Sequence, residues 1–231
     1  GDVSINTVTV GGLYNDVHIK ADLGSIEEMA PEDSDDSFEG SAAGGLDIIA
    51  DHAVLEAHGS IGGIRPLETK LNSLKAVSAS QGDIDLNEHD AITLTDVDTN
   101  DGSITLDAGG SITALNVKSK TDQDDNDIRL HNTSGDILVD RIDAGSTQGD
   151  VFLDADQGKV EEHASGDTGV DIISDNAKIN AHTSIGGEQD LETEINTLEA
   201  HAGTIGDIDL NELDAITLTD VDTNDGSITL D

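Results

Sequence analysis

The residues best suited to binding a ligand are Asp and Asn, whose side-chain oxygens recur at close spacing along the chain. Such oxygens suit Ca²⁺, because this hard cation takes six to eight oxygen ligands. We refer to the two sets as the acidic corners and treat them as candidate Ca²⁺ sites. The acidic corners, 124 residues apart, consist of Asp96, Asp98, Asn100, Asp101 and Asp107 in the first set and of Asp220, Asp222, Asn224, Asp225 and Asp231 in the second.

The spacing in the acidic corners departs from the EF-hand loop at one decisive position. An EF-hand loop needs Gly at its sixth position for a sharp turn. Counted from Asp96, the sixth residue is Asp101 and Gly102 is the seventh. The alternative is a solvated corner of a β-structure, in which Asn-Asp-Gly forms the turn. The sequence leaves both interpretations open, and Ca²⁺ is the one cofactor that it suggests.

The sequence contains few of the residues that a polysaccharide-cleaving site would need. The aromatic residues that could form a sugar platform number three, Tyr14, Phe38 and Phe152, and ten basic residues are spread along the chain. No nucleophile-elbow or phosphate-loop motif is present. We therefore predict no catalytic residues and no enzyme activity, and keep a polysaccharide-active β-helix enzyme as a minor alternative.

The charge balance narrows the classes of partner. Fifty acidic residues stand against ten basic ones, for a formal net charge of -40. Nucleic acid is excluded as a partner because phosphate contacts need clusters of Lys and Arg. No apolar run approaches the roughly 20 residues of a membrane span, so no membrane insertion is expected. So much charge on a compact chain indicates either a salt-rich (halophilic) habitat or saturation with divalent cations.

Internal repetition organises the chain. Residues 82–107 and 206–231 differ only where His89 is replaced by Leu213, an offset of 124 residues. The start of the chain aligns at an offset of 134, and the ten-residue difference falls in the acidic segment 31–45. We predict a partial copy over 1–107, with a loop insertion at 31–45, and a second copy over 108–231. The copies should continue as one rod, with both ends cut from a longer polypeptide.

A shorter repeat of about 20 residues inside each copy predicts the fold. GDIDL at 82–86 is followed by GSITL at 102–106, and further short runs of Ile, Val, Leu and Thr are bounded by Gly, Asn or Asp. This pattern favours an all-β parallel β-helix solenoid of about 20-residue coils, about six per copy and about eleven in total. Ile84, Leu86, Ile104 and Leu106 should point inward.

The glycine-containing steps and two segments with unusual spacing are interpreted separately. The Gly-Asp, Asn-Asp-Gly and Gly-Gly steps are expected to form corners with positive φ. The segments 67–76 and 191–200 have a helix-like spacing of apolar residues, so each is either a short helix or an irregular coil. The main rival fold is a chain of β-sandwich domains, whose strands recur at similar intervals.

The order of short motifs resembles the filamentous-haemagglutinin type of giant repetitive surface adhesin. The motifs are SIGG at 60–63 and 184–187, LET, a run ending in SLKA or TLEA, then GDIDLNE, DAITL and NDGSITL. The resemblance implies a right-handed β-helix and an extracellular location at the cell surface. It implies a structural fibre or stalk segment of a long adhesin.

The implied role is non-catalytic. A second possibility is a Ca²⁺-collecting module that bridges neighbouring fibres or a matrix. Expected partners are other copies of the chain, neighbouring fibres, or a host, prey or matrix surface.

Overall fold

A computed structural model describes residues 1–11, 15–29, 45–163, 169–187 and 189–231. These residues form β-strands and no helix, and every strand pairing among them is parallel. None of the described residues therefore belongs to a helix that could span a membrane. The strands are β1 Val3–Ile5, β2 Val8–Thr9, β3 Asp16–Ala21, β4 Ile26–Glu28, β5 Ile48–Ile49, β6 His52–Ala57, β7 Leu67–Lys70, β8 Ser73–Gln81, β9 Ile84–Glu88, β10 Ile92–Asp101, β11 Ile104–Ala108, β12 Ile112–Ala114, β13 Val117–Ser119, β14 Ile128–Asn132, β15 Ile137–Val139, β16 Ile142–Asp143, β17 Val151–Ala155, β18 Val160–Glu162, β19 Ile172–Ala181, β20 Leu191–Ala202, β21 Ile208–Glu212, β22 Thr217–Thr223 and β23 Ile228–Leu230.

The strands stack as a β-solenoid of about ten turns with successive turns about 21 residues apart, which confirms the predicted parallel β-helix. The predicted total of eleven coils was slightly high, because several turns are longer than the predicted coil. Hydrogen-bonded residues of adjacent turns are 20 residues apart at Asp83 and Ser103 but 26 residues apart at Asp150 and Asn176. What we call the first ladder joins equivalent residues of successive turns: Val3, Ile26, Ile61, Ile84, Ile104, Ile128, Val151, Ala177, Leu198 and Leu218.

The core consists of the inward-facing residues of every turn. Ile84, Leu86, Ile104 and Leu106 are each at most 2% exposed, as the alternation predicted. Removing a side chain of this size from water contributes about 1.5–3 kcal/mol. Because each turn covers the apolar side of the next, aliphatic residues alone can build the core.

Both segments with a helix-like spacing are strands. Residues 67–76 supply β7 and the start of β8, and 191–200 lie in β20. The inward residues of the first segment are Leu67, Thr69 and Leu71, then Leu74 and Ala76. A phase shift between Leu71 and Leu74 turns a two-residue alternation into apparent i, i+4, i+7 spacing. A bend between strands therefore imitated an amphipathic helix.

Glycines serve two different purposes. Gly62 and Gly186, in the SIGG motifs, have positive φ values of 74° and 64°, as predicted. The prediction was wrong for Gly102 of Asn-Asp-Gly, which does not have positive φ. Instead, a Cβ at residue 102 would collide with the carbonyl group of Gly82, one turn earlier. Gly102 is needed for close approach of two backbones.

One 124-residue repeat spans about five and a half turns of the solenoid, not the predicted six. From Ile84, five steps of the first ladder reach Leu198, yet the counterpart of Ile84 is Ile208, ten residues further along. Equivalent residues of the two copies therefore occupy different faces of the solenoid. Ile208 belongs to the second ladder, which runs through Ile92, Ile112, Ile137, Val160, Ile185, Ile208 and Ile228.

The predicted insertion at 31–45, apart from Gly45, lies outside the described residues. The strands that flank it are both part of the stack. Ile26 of β4 pairs with Ile61, and Ile48 of β5 pairs with Thr69. The parallel register therefore holds on both sides of the segment.

Candidate cation-binding sites

The first acidic corner lies mostly on β10. Asp96 and Asp98 flank the buried Val97 and face outward. Lys75 Nζ lies 2.5 Å from an oxygen of Asp96, and Lys120 Nζ lies 2.9 Å from an oxygen of Asp98. The hydrogen bond from Lys75 holds the pKa of Asp96 below its ordinary value. Both carboxylates thus already have cationic partners.

The remaining members of the first corner have other partners. Asp101 accepts hydrogen bonds from Asn126 at 3.0 Å, Gln81 at 3.0 Å and Thr121 at 2.9 Å, which lower its pKa. The Asn100 side chain is exposed. Asp107 lies on a different strand, β11, with its carboxylate 2.7 Å from His131 Nδ1.

The five predicted residues of the first corner therefore divide among separate polar groups. The cation site proposed for them stays a prediction.

The second acidic corner has different neighbours. Asp220 and Asp222 lie on β22. One carboxylate oxygen of each and one ring nitrogen of His201 all lie within 4.8 Å of one another. The His201 ring is 2.8 Å from Asp222, and this hydrogen bond raises the pKa of the imidazole. Asn224, Asp225 and Asp231 are exposed and lie outside this group.

The two corners differ because their neighbours in the preceding turn differ. At the 124-residue offset, Lys75 corresponds to Glu199 and Val77 to His201. The second corner therefore gains an imidazole and loses a cation. Sequence reasoning missed His201, although it precedes Asp222 by 21 residues, which is one turn.

A third group of carboxylates is more buried than the corners. We define the first carboxylate triad as Glu28, Asp47 and Glu68, whose ligand oxygens lie within 4.8 Å of one another. Asp47 is 2% exposed, and one of its oxygens accepts a hydrogen bond from the Glu68 amide at 3.0 Å. Burial raises the pKa of Asp47 above its ordinary value, and the charges of Glu68 and Glu28 add to that rise.

The second copy contains the counterparts of these three residues, but their oxygens do not all lie within 4.8 Å of one another. The second carboxylate triad comprises Glu162, Asp171 and Glu192, at offsets of 134, 124 and 124 from the first. Asp171 is fully buried and accepts a hydrogen bond from the Glu192 amide at 2.9 Å. Burial again raises the pKa of the buried aspartate, as do the charges of Glu192 and Glu162.

Two buried oxygens of the second triad have no hydrogen-bond donor in the part of the chain that the structure describes. Among the described residues, no donor reaches Asp171 Oδ1 or Glu192 Oε2, although both atoms are buried. Buried polar atoms normally have a partner, because leaving one unpaired costs about 1–3 kcal/mol.

The triads could not be recognised as clusters from the sequence. Glu28 and Asp47 belong to one turn but stand on opposite sides of the acidic segment 31–45. Glu68 follows Asp47 by 21 residues and belongs to the next turn. The counterparts Glu162 and Asp171 are much closer together along the chain than Glu28 and Asp47. A search for acidic residues separated by one turn would have found the Asp–Glu pair in each copy.

A separate buried carboxylate, that of Glu88, joins two adjacent turns by hydrogen bonds. Glu88 is fully buried and accepts hydrogen bonds from Thr69 Oγ1 at 2.7 Å and from the amides of Leu71 and Asp90 at 3.1 Å. Burial raises the pKa of Glu88 to about 7 despite these bonds. Its counterpart Glu212 accepts from Thr193 at 2.8 Å but is less buried.

The one-turn register also brings together an aromatic residue and two basic ones. Phe152 pairs with Arg129 in the preceding turn and with Lys178 in the following turn. Asp154 and Asn180 line the same shallow depression. Sequence reasoning treated these residues as scattered, because a full turn of chain separates each from the next.

No protein-family model, curated protein or solved structure matches the chain.

Proposed function

We propose that the chain is a stiff, non-catalytic structural segment of a long extracellular fibre or surface adhesin. The observation that carries this proposal is the first ladder, which passes through ten residues without an interruption. At a spacing of about 4.8 Å, its nine steps extend about 43 Å along the axis. A stack of this kind resists bending, because each turn is hydrogen-bonded to the next.

The repeat geometry and the charge support the same role. Because one copy advances by about five and a half turns, equivalent surfaces of successive copies face different sides of the rod. A fibre built in this way would present the same surface to partners on more than one side. The net charge of -40 favours water, cations and basic surfaces as the immediate surroundings. Other fibres, or a host, prey or matrix surface, would then be contacted through cations or through basic groups of the partner.

The proposed location can be tested with antibodies raised against the purified chain. Immunogold labelling of intact source cells should place the label on filaments outside the cell envelope. Label that enters only after the cells are permeabilised would contradict an extracellular fibre. Labelling with preimmune serum is the control.

The alternative of a polysaccharide-active enzyme can be tested at Phe152, which lies between Arg129 and Lys178 in the strand register. An aromatic ring between two basic side chains could contact an acidic sugar. Phe152→Ala should leave polysaccharide binding and turnover unchanged if the chain is a structural segment. Cleavage of an acidic polysaccharide by the wild-type chain, lost in Phe152→Ala, would contradict the structural proposal.

A further inference from the structure

The residue immediately before an inward ladder position makes the same contact in many turns. We call it the entry residue, because it stands where the chain enters a strand. Asp83 is the entry residue before Ile84, and its carboxylate accepts a hydrogen bond at 2.8 Å from the backbone amide of Ser103, the entry residue one turn later. On the first ladder this contact is made, at distances from 2.8 to 3.1 Å, by Asp2, Ser25, Asp83, Asp127 and Asp150.

The same contact recurs on the other faces of the solenoid. On the second ladder, Ser111, Asp136 and Asp207 accept from the amide of the next entry residue at 3.1, 3.0 and 2.7 Å. On a third face, Asp47 and Asp171 do so at 3.0 and 2.9 Å. In each contact the acceptor side chain belongs to the earlier turn and the amide to the later one. All of these acceptors are Asp or Ser, whose short side chains place an oxygen close to the backbone.

A glycine precedes the entry residue in the motifs GDIDL and GSITL. A Cβ at Gly82 would collide with the backbone of Ser60, and one at Gly226 with the backbone of Gly206. The bare backbone at this position allows two turns to approach closely. The short side chain of the entry residue can then reach the amide of the next turn.

Apolar alternation alone leaves the alignment of two turns incompletely specified. Because side chains alternate with a period of two, a one-residue slip would turn the inward set outward, whereas a two-residue slip would keep it inside. Turn length does not fix the alignment either, since joined entry residues are 20 residues apart at Asp83 and Ser103 but 35 apart at Ser25 and Ser60. A two-residue slip would move the amide by about 6.6 Å, which is too far for the entry contact to survive.

We propose that the entry residues set the register of the solenoid, so that the Gly-Asp and Gly-Ser steps are the alignment signal between successive turns. The position requires an oxygen acceptor and not a charge, since Asp and Ser both occupy it. This inference goes beyond the proposed function and holds wherever the chain is located. Asp83 is the clearest case, because Ala91, the entry residue of the second ladder in the same turn, has no side-chain oxygen.

Amide hydrogen exchange, measured by NMR on the whole chain, tests the contact at Ser103. Asp83→Ala should make exchange of this amide about tenfold faster, because the amide loses a charged acceptor. Asp83→Asn and Asp83→Ser should each restore slow exchange, since both keep an oxygen. The matched control is Asp85→Ala, which removes an outward carboxylate two residues further along and should leave exchange at Ser103 unchanged.

Cysteine pairs test the register itself, because the chain has no cysteine of its own. Residues 85 and 105 are partners in the observed alignment, at the spacing of about 4.8 Å that a disulfide accepts. Asp85→Cys with Thr105→Cys should therefore cross-link on oxidative refolding. Asp85→Cys paired with Ser103→Cys or with Asp107→Cys reports a two-residue slip in either direction and should cross-link little. Adding Asp83→Ala should raise the yield of a slipped pair several-fold, whereas adding Asp83→Ser should not.

Each measurement has a result that would overturn the proposal. Unchanged exchange at Ser103 in Asp83→Ala would remove the contact, and slipped pairs no more abundant in that variant would remove the register role. Failure of both Asp83→Asn and Asp83→Ser to restore the wild-type behaviour would show that an oxygen acceptor is not what the position requires. If Asp83→Ala does not fold by circular dichroism, Asp136→Ala with exchange at the Lys159 amide repeats the test on the second ladder.

Discussion

Carboxylates of this chain occupy two environments, the outward acidic corners and the inward carboxylate triads. In the first corner, Asp96 and Asp98 lie beside lysine ammonium groups within 2.9 Å. In the triads, Asp47 and Asp171 are almost completely buried beside two glutamates. The difference teaches that a dense acidic motif need not be the best cation site. Residues that are distant in the sequence but joined by the turn register form the more buried cluster.

The largest expected effect concerns Glu88, the fully buried carboxylate that faces amides instead of a cation. Its pKa is about 7 in the folded protein, compared with about 4.5 when it is unfolded. The stability that this group contributes is present below about pH 4.5 and is lost as the pH rises through about 7. A shift of this size corresponds to about 3 kcal/mol. Glu88→Gln should make the fall in the free energy of unfolding between these pH values less steep in chemical denaturation.

The matched control for that change is Glu212→Gln, which alters the equivalent, more exposed side chain with similar contacts. We expect it to change the free energy of unfolding less than Glu88→Gln does, because its side chain is only partly buried. Equal changes in the two variants would show that burial does not distinguish inward from outward carboxylates.

The second prediction compares the triads with the corners directly. At pH 9 without Ca²⁺, Asp171→Asn should raise the free energy of unfolding by about 1–3 kcal/mol, because it removes a buried charge beside two others. Asp220→Asn, at an exposed position, should change it by less than about 1 kcal/mol. Denaturant melts of both variants test this, and a destabilised Asp171→Asn would contradict the account.

The smallest effect is expected for the outward ion pairs. Asp96→Asn removes the contact with Lys75 and should cost less than about 1 kcal/mol, a loss that shrinks as NaCl is added. Thermal melts at low and high ionic strength check both statements. A large, salt-independent loss would show that the first acidic corner braces the core.

The alternation of Ile84 and Leu86, repeated 20 residues later at Ile104 and Leu106, predicted the solenoid, because stacked turns need apolar residues at equivalent inward positions. The conformation of Gly102 could not be predicted, because it depends on the backbone of the turn beneath it. The same reason hid the triads and His201. Turn length varies along the rod, so the partner one turn away is known only once the register is known.

The central claim is a continuous rod, and spin labels test it most directly because the chain has no cysteine. Ser4 and Glu199 lie on outward positions beside Val3 and Leu198, which are eight steps apart in the first ladder. Nitroxides on Ser4→Cys and Glu199→Cys should be about 38 Å apart by double electron–electron resonance, and those on Ser4→Cys and Thr105→Cys, four steps apart, about 19 Å. Equal distances for the two pairs, or one broad distribution for both, would contradict a rod.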